Sequence, residues 1–152
     1  MKKINKVTAA LIIGAVAFVG YNAVGTQTKS NCVSVHVDFG ALDSNKIVES
    51  CISAKDHTNA LKILEQANLK IAGTDKYGLQ IVCRVNNLPG PKIEKCKTMP
   101  PENAYWAVIV KNNESFNHKW GWAQTGISDV YLNPGDSLGL VFIENEEMRW
   151  PN

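Results

Sequence analysis

The stretch DHTNALKILEQANLKIAGTDKYGLQIVCRV, residues 56–85, decides the fold class, because its hydrophobic period changes partway along. Over residues 56–69, Ala60, Leu61, Leu64 and Ala67 or Leu69 recur at helical spacing while Lys62, Glu65 and Gln66 fall on the other side. That stripe predicts one amphipathic helix packed on the domain's own sheet. Asp56 or Thr58 is placed to cap its start, and Gly73 lies beyond its end. Over residues 78–85 the period drops to two: Leu79, Ile81, Cys83 and Val85 share one side, which predicts a central or covered strand.

Strand patterns lie on both sides of this stretch. VSVHVDF, residues 33–39, sets Val33, Val35, Val37 and Phe39 on one face and Ser34, His36 and Asp38 on the other, with Gly40 ending the run and a more polar segment leading to Cys51. NNLPGP (86–91) and KTMPPENA (97–104) are connectors, because proline lacks the amide that a ladder needs. YWAVIVK (105–111) is a strong strand candidate; the turn NNES (112–115) follows it, and residues 117–123 return as a hairpin arm. SLGLVF (137–142) is a last strand behind the turn NPGD (133–136). The expectation is one α+β domain, with about five main strands and one packed helix, and no internal repeat.

The N-terminus bears on location. Lys2, Lys3 and Lys6 precede the low-polarity run VTAALIIGAVAFVGYNAVG, residues 7–25, which reads as a signal peptide cleaved after Gly25 or as an uncleaved membrane anchor. Residues 26–152 then form a single exported domain. Removing three lysines from sixteen basic side chains leaves thirteen against fourteen acidic ones, a net charge of −1 that gives nucleic-acid binding little support. Cys32, Cys51, Cys83 and Cys96 suit two disulfides in an oxidising compartment. Three pairings are open; Cys32 with Cys51 and Cys83 with Cys96 is preferred, each closing a short excursion beside a strand. No close Cys-x-x-Cys pair exists and the histidines stand apart at 36, 57 and 118, so a metal site is not expected.

Candidate binding residues come from the aromatics. Tyr105 and Trp106 are adjacent in a strand and face opposite sides, so they cannot make one wall. Trp120 and Trp122 share a strand phase across Gly121, and Tyr131 with the backbone of residues 125–128 can complete a rim. The expectation is a ligand or partner surface there, with Trp120 the more exposed of the two. His118 can meet Asp129 or Asp136 in space but lacks a nucleophile with a supporting motif, so no catalysis is expected.

The ordered set VDFG (37–40), TNALKILEQANL (58–69), VCRVNNLPGP (82–91), YW (105–106) and W…TGISDVYLNPGDSLGLVF (122–142) resembles the transcobalamin-like C-terminal domain family over roughly residues 33–143. The resemblance implies a beta-grasp-like mixed sheet related to soluble-ligand-binding beta-grasp modules, exported or surface-anchored in bacteria. In animal cobalamin carriers a similar domain closes one side of the corrinoid and a separate helical barrel holds the other; this chain has no room for the barrel. Trp106, Gly126 and Ile127 match the family pattern and join Trp120, Trp122 and Tyr131 as candidate ligand-binding residues, while Gly135 and Asp136 match it at an architectural Gly-Asp turn. Asn112-Asn113-Glu114 stands where the family often has Asn-Gly, and ENEEMRWPN (144–152) lies outside the pattern. The function this implies is a noncatalytic extracellular binding module, with cobalamin, another corrinoid or another small molecule as ligand. The competing reading is a surface adhesion or protein-assembly module with no small ligand.

Overall fold

The computed structural model describes residues 31–112, 119–145 and 147–151. The signal-peptide or anchor reading falls on residues 1–25, outside the described residues, and so does most of the NNES turn. Strands β1 (Cys32–Asp38), β2 (Ile47–Ser53) and β3 (Thr58–Asn59) lead into helix α1 (Ala60–Gln66). Then come β4 (Ile71–Thr74), β5 (Gly78–Val85), β6 (Ala104–Lys111), β7 (Gly121–Trp122), β8 (Tyr131–Leu132) and β9 (Ser137–Glu144). The main sheet has the order β2-β1-β9-β6-β7. β1 and β9 run parallel at its centre, and the other neighbours are antiparallel. The described chain is thus α+β, a five-stranded mixed sheet with one helix and the first and last long strands side by side.

The helix side of the sheet carries the main core. Val33, Val35, Val37 and Phe39 pack with Leu138, Leu140, Phe142, Trp106 and Val110, and α1 closes over them with Ala60, Ile63 and Leu64. Each such aliphatic side chain withdrawn from water stabilises the fold by about 1.5–3 kcal/mol. The buried helical stripe is Ala60, Ile63 and Leu64, with Leu61 and Ala67 partly covered at its margins, so the sequence reading missed Ile63. The cap is Asn59 rather than Asp56 or Thr58: its side chain accepts the Leu61 N–H at 3.0 Å from an extended backbone, while Thr58 donates to the Lys55 carbonyl. α1 ends at Gln66, ahead of Gly73 as expected, and Asn68, with a φ of 57°, takes the left-handed step just beyond the Ala67 cap.

Residues 78–85 form a covered strand, one of the two alternatives expected, with Val82, Cys83 and Val85 buried, and β5 pairs with β4 in a separate two-stranded sheet. Two other strand expectations need correction. The polar segment before Cys51 is β2, a seven-residue strand that sequence reading left out. Among the described residues of the predicted hairpin arm, Gly121–Trp122 pair with β6, and the Ala123 N–H reaches the Val108 carbonyl at 3.0 Å. The disulfides are Cys32–Cys51, which staples β1 to β2, and Cys83–Cys96, which holds the connector after β5 against that strand; this is the preferred pairing. No helix among the described residues is long and apolar enough to cross a membrane.

Candidate functional site

The face of the main sheet turned away from α1 carries the candidate site, and it is built by side chains that alternate opposite to the core set. From β6 and β9 it presents Ala107, Ile109, Val141 and Ile143, all 2% exposed or less, beneath Tyr105, Trp120 and Met148. Gly139 lets Trp120 approach: a Cβ there would lie 3.2 Å from the indole Cζ3 and closer still to the Ile109 side chain. The chain beyond β9 crosses this face. Arg149 Nη2 lies 2.8 Å from Asp38 Oδ1, and the Trp150 ring meets Trp122 edge-on at 6.2 Å between centroids. Asp38 is buried, and the same oxygen also accepts the Gly40 N–H at 2.8 Å, so its charge is held by two donors.

Beside this tail a cleft of about 470 Å³ opens, lined among others by Ser34, His36, Glu49, Lys111, Trp120 and Pro151. His36 Nδ1 is 3.0 Å from Glu49 Oε1, and its ring lies 6.4 Å from that of Trp120 at 56°. His36 and Asp38 are therefore not solvated polar-face residues, as their alternation suggests; both are buried. Trp120 Nε1 is buried with no hydrogen-bond partner among the described residues. A buried indole N–H without an acceptor costs roughly 1–3 kcal/mol, so a ligand atom that accepts from it gains what the fold forgoes.

The residues expected to form one site do not converge. Trp120 and Trp122 lie on the outer face, Trp122 opposite Ile109 in the β6–β7 pair. Their order of exposure is reversed: Trp122 is 43% exposed, while Trp120 is partly buried under the tail. Gly126 and Ile127 lie on the helix side. Ile127 is fully buried in the main core, and Gly126 is pressed against Gln80, leaving no space for a side chain. Tyr131 is exposed and stacks on His57 at 4.4 Å with 8° between the planes. With Gln124, Thr125 and Asp129 it lines a smaller cleft of about 190 Å³. Trp106 is core: its ring meets Phe39 and Phe142 edge-on at 5.4 and 5.5 Å, and its Nε1 donates to the Leu88 carbonyl at 3.0 Å.

Gly135 and Asp136 sit in the turn before β9. Gly135 has a φ of 97°, and Asp136 Oδ2 accepts the Asn133 N–H at 2.7 Å. Cys83, Glu94 and Cys96 are close enough to resemble a metal-ligating group, but both sulfurs are consumed in the disulfide. Sequence reading missed Glu49, Lys111 and Pro151 as cleft residues. The first belongs to the unpredicted strand β2 and the last to a tail that nothing local assigns to this face. No protein-family description, curated protein or solved structure matches the chain.

Proposed function

We propose that this chain is a noncatalytic extracytoplasmic binding module that holds a small ligand in the cleft beside Trp120, with a corrinoid among the candidates. The observation that carries the reading is a cleft of about 470 Å³ lined by Trp120, whose buried Nε1 has no hydrogen-bond partner among the described residues. That volume lies within the roughly 300–1,000 Å³ typical of small-molecule sites, whereas the cleft at Tyr131, about 190 Å³, falls below it. Lys111 and Ser34 add donors and Glu49 an acceptor, and the tilted His36 and Trp120 rings offer an aromatic wall. A whole corrinoid is larger than this space and would insert one end, leaving most of the macrocycle to another surface. His36 has a carboxylate partner, but among the described residues no hydroxyl or thiol is hydrogen-bonded to it, so binding is favoured over nucleophilic chemistry. The two disulfides fit an oxidising, extracytoplasmic compartment.

Native mass spectrometry of the protein recovered from its own exported fraction tests this. A retained small-molecule mass is expected, lost in Trp120→Phe, which keeps the aromatic packing and removes the N–H. Retention unchanged by Trp120→Phe, or no retained mass with corrinoids added as probes, would refute the assignment.

A further inference from the structure

The main sheet has two very different edges: β7 contributes two residues, β2 contributes seven. β2 pairs with β1 without a bulge from Ile47 to Ser53, and that ladder fixes which of its amides are free. Phe39 N donates to the Lys46 carbonyl at 3.0 Å, so those two residues form a hydrogen-bonded pair. Alternation then makes Val37 with Val48, Val35 with Ser50, and Val33 with Ile52 the other hydrogen-bonded pairs. The Ser34 N–H points the opposite way, to the Asp136 carbonyl, in agreement with that phase. The N–H and C=O groups of Ile47, Glu49, Cys51 and Ser53 therefore point away from β1, with no strand beyond them among the described residues.

An open edge of this kind is ordinarily blunted by proline, lysine, a bulge or extreme shortness. β2 has none of these. Its one charge, Glu49, is held over the face of the sheet by His36, and Cys51 is stapled to β1. At its midpoint, the buried Ser50 Oγ has no hydrogen-bond partner among the described residues.

We propose that β2 pairs antiparallel with β2 of a second copy of this chain, about a two-fold axis at Ser50. This register sets Glu49 opposite Cys51 and Ile47 opposite Ser53, so every outward amide finds a partner. On the helix side it sets Val48 opposite Ile52, extending the apolar row along each edge. Ser50 meets its own copy as a non-hydrogen-bonded pair, and a turn of its side chain about χ1 from the buried position brings each hydroxyl to the axis, where the two satisfy each other, since each both donates and accepts. The neighbouring registers are worse. An axis at Glu49 opposes two like charges, and one at Cys51 sets Ile47 opposite Lys55.

The test uses the exported protein in analytical ultracentrifugation and in cysteine crosslinking. Dimers are expected to dissociate reversibly on dilution. Ser53→Pro deletes an outward amide without touching the β1–β2 ladder, and is expected to weaken the dimer about tenfold or more. Ser50→Cys is expected to give a 50–50 crosslink under mild oxidation, mapped by nonreducing peptide analysis. Non-hydrogen-bonded pairs place the Cα atoms about 4.5 Å apart, within the disulfide range of roughly 4.4–6.8 Å. A monomer at every concentration, a dimer indifferent to Ser53→Pro, or a dimer that yields no 50–50 crosslink would each overturn the proposal.

Discussion

Asp136→Ala perturbs the turn that launches β9, and its cost can be worked from the bonds around it. Asp136 Oδ2 accepts the Asn133 N–H at 2.7 Å, closing a turn in which Asp136 N returns to the Asn133 carbonyl at 3.0 Å. The same turn is tied outward: Gly135 N donates to the Cys32 carbonyl at 2.8 Å, and the Asp136 carbonyl accepts from Ser34 N at 3.0 Å. Asn133 Oδ1 also accepts the His57 N–H at 2.8 Å, joining the turn to the chain before α1. A hydrogen bond to a charged acceptor contributes about 1.5–3 kcal/mol, but Asn133 is exposed and its freed N–H regains water, so alanine should cost about 1–2 kcal/mol. With a urea slope near 2 kcal/mol/M, the unfolding midpoint should fall by about 0.5–1 M, and Asp136→Asn, which keeps a neutral acceptor, should lose about half as much. Chemical denaturation with both disulfides intact reads this directly. A midpoint unchanged by alanine, or equal losses for alanine and asparagine, would refute the assignment of the carboxylate to turn closure.

Trp122→Ala should cost about 1 kcal/mol or less and Trp120→Ala about 2–4, because only the second ring fills the space over Gly139; unfolding midpoints in the reverse order would contradict this. Gly139→Ala should destabilise by about 1–3 kcal/mol, through collision with Ile109 and Trp120, and a neutral result in the same assay would show the contact to be slack. Arg149→Ala leaves Asp38 buried with only the Gly40 amide, and should cost about 1–3 kcal/mol while making the tail more sensitive to limited proteolysis; an unchanged digestion pattern would argue against the tail's being held by this ion pair. Paired Cys83→Ser and Cys96→Ser should lower stability by about 3 kcal/mol, measured as the loss of unfolding midpoint relative to the oxidised protein.

Much of the fold was legible because local pattern and tertiary demand agree in β1, β6 and β9. Valines at 33, 35 and 37 alternate cleanly, and all three are buried on the helix side. β2 was illegible for a physical reason. Its outer face carries Glu49, Cys51 and Ser53 and its inner face includes Ser50, so a sheet-edge strand supplies little hydrophobic alternation. Its existence is dictated by pairing with β1, which no window on its own residues reveals. β5 was legible as a covered strand but not as to its sheet, since an apolar run signals coverage without saying which sheet supplies it: Val82, Cys83 and Val85 are buried, and their partner is β4. Asn59 could have been found, because it immediately precedes the first buried helical residue, but Asp56 and Thr58 are equally good caps by residue type alone.

The tryptophans show where local reading stops. Strand phase correctly sets Trp120 and Trp122 on one face, yet exposure depends on what lies over that face. Here that is a tail whose anchor joins Arg149 to Asp38, 111 residues apart. Ala107, Ile109, Val141 and Ile143 form an apolar floor that α1, on the opposite side, cannot reach. Among the described residues, Tyr105, Trp120 and Met148 pack against it. The floor is closed under Met148 and Trp120, and the remaining margin, where His36, Glu49, Lys111 and Pro151 stand apart, is left as the cleft. The Gly126 loop was read as the rim of the same site because it follows Trp122 in sequence. The chain crosses to the helix side between them, and Ile127 is spent filling the main core. Sequence proximity therefore predicted one site where the sheet separates two faces, and the unpartnered indole N–H of Trp120 favours the outer one for binding.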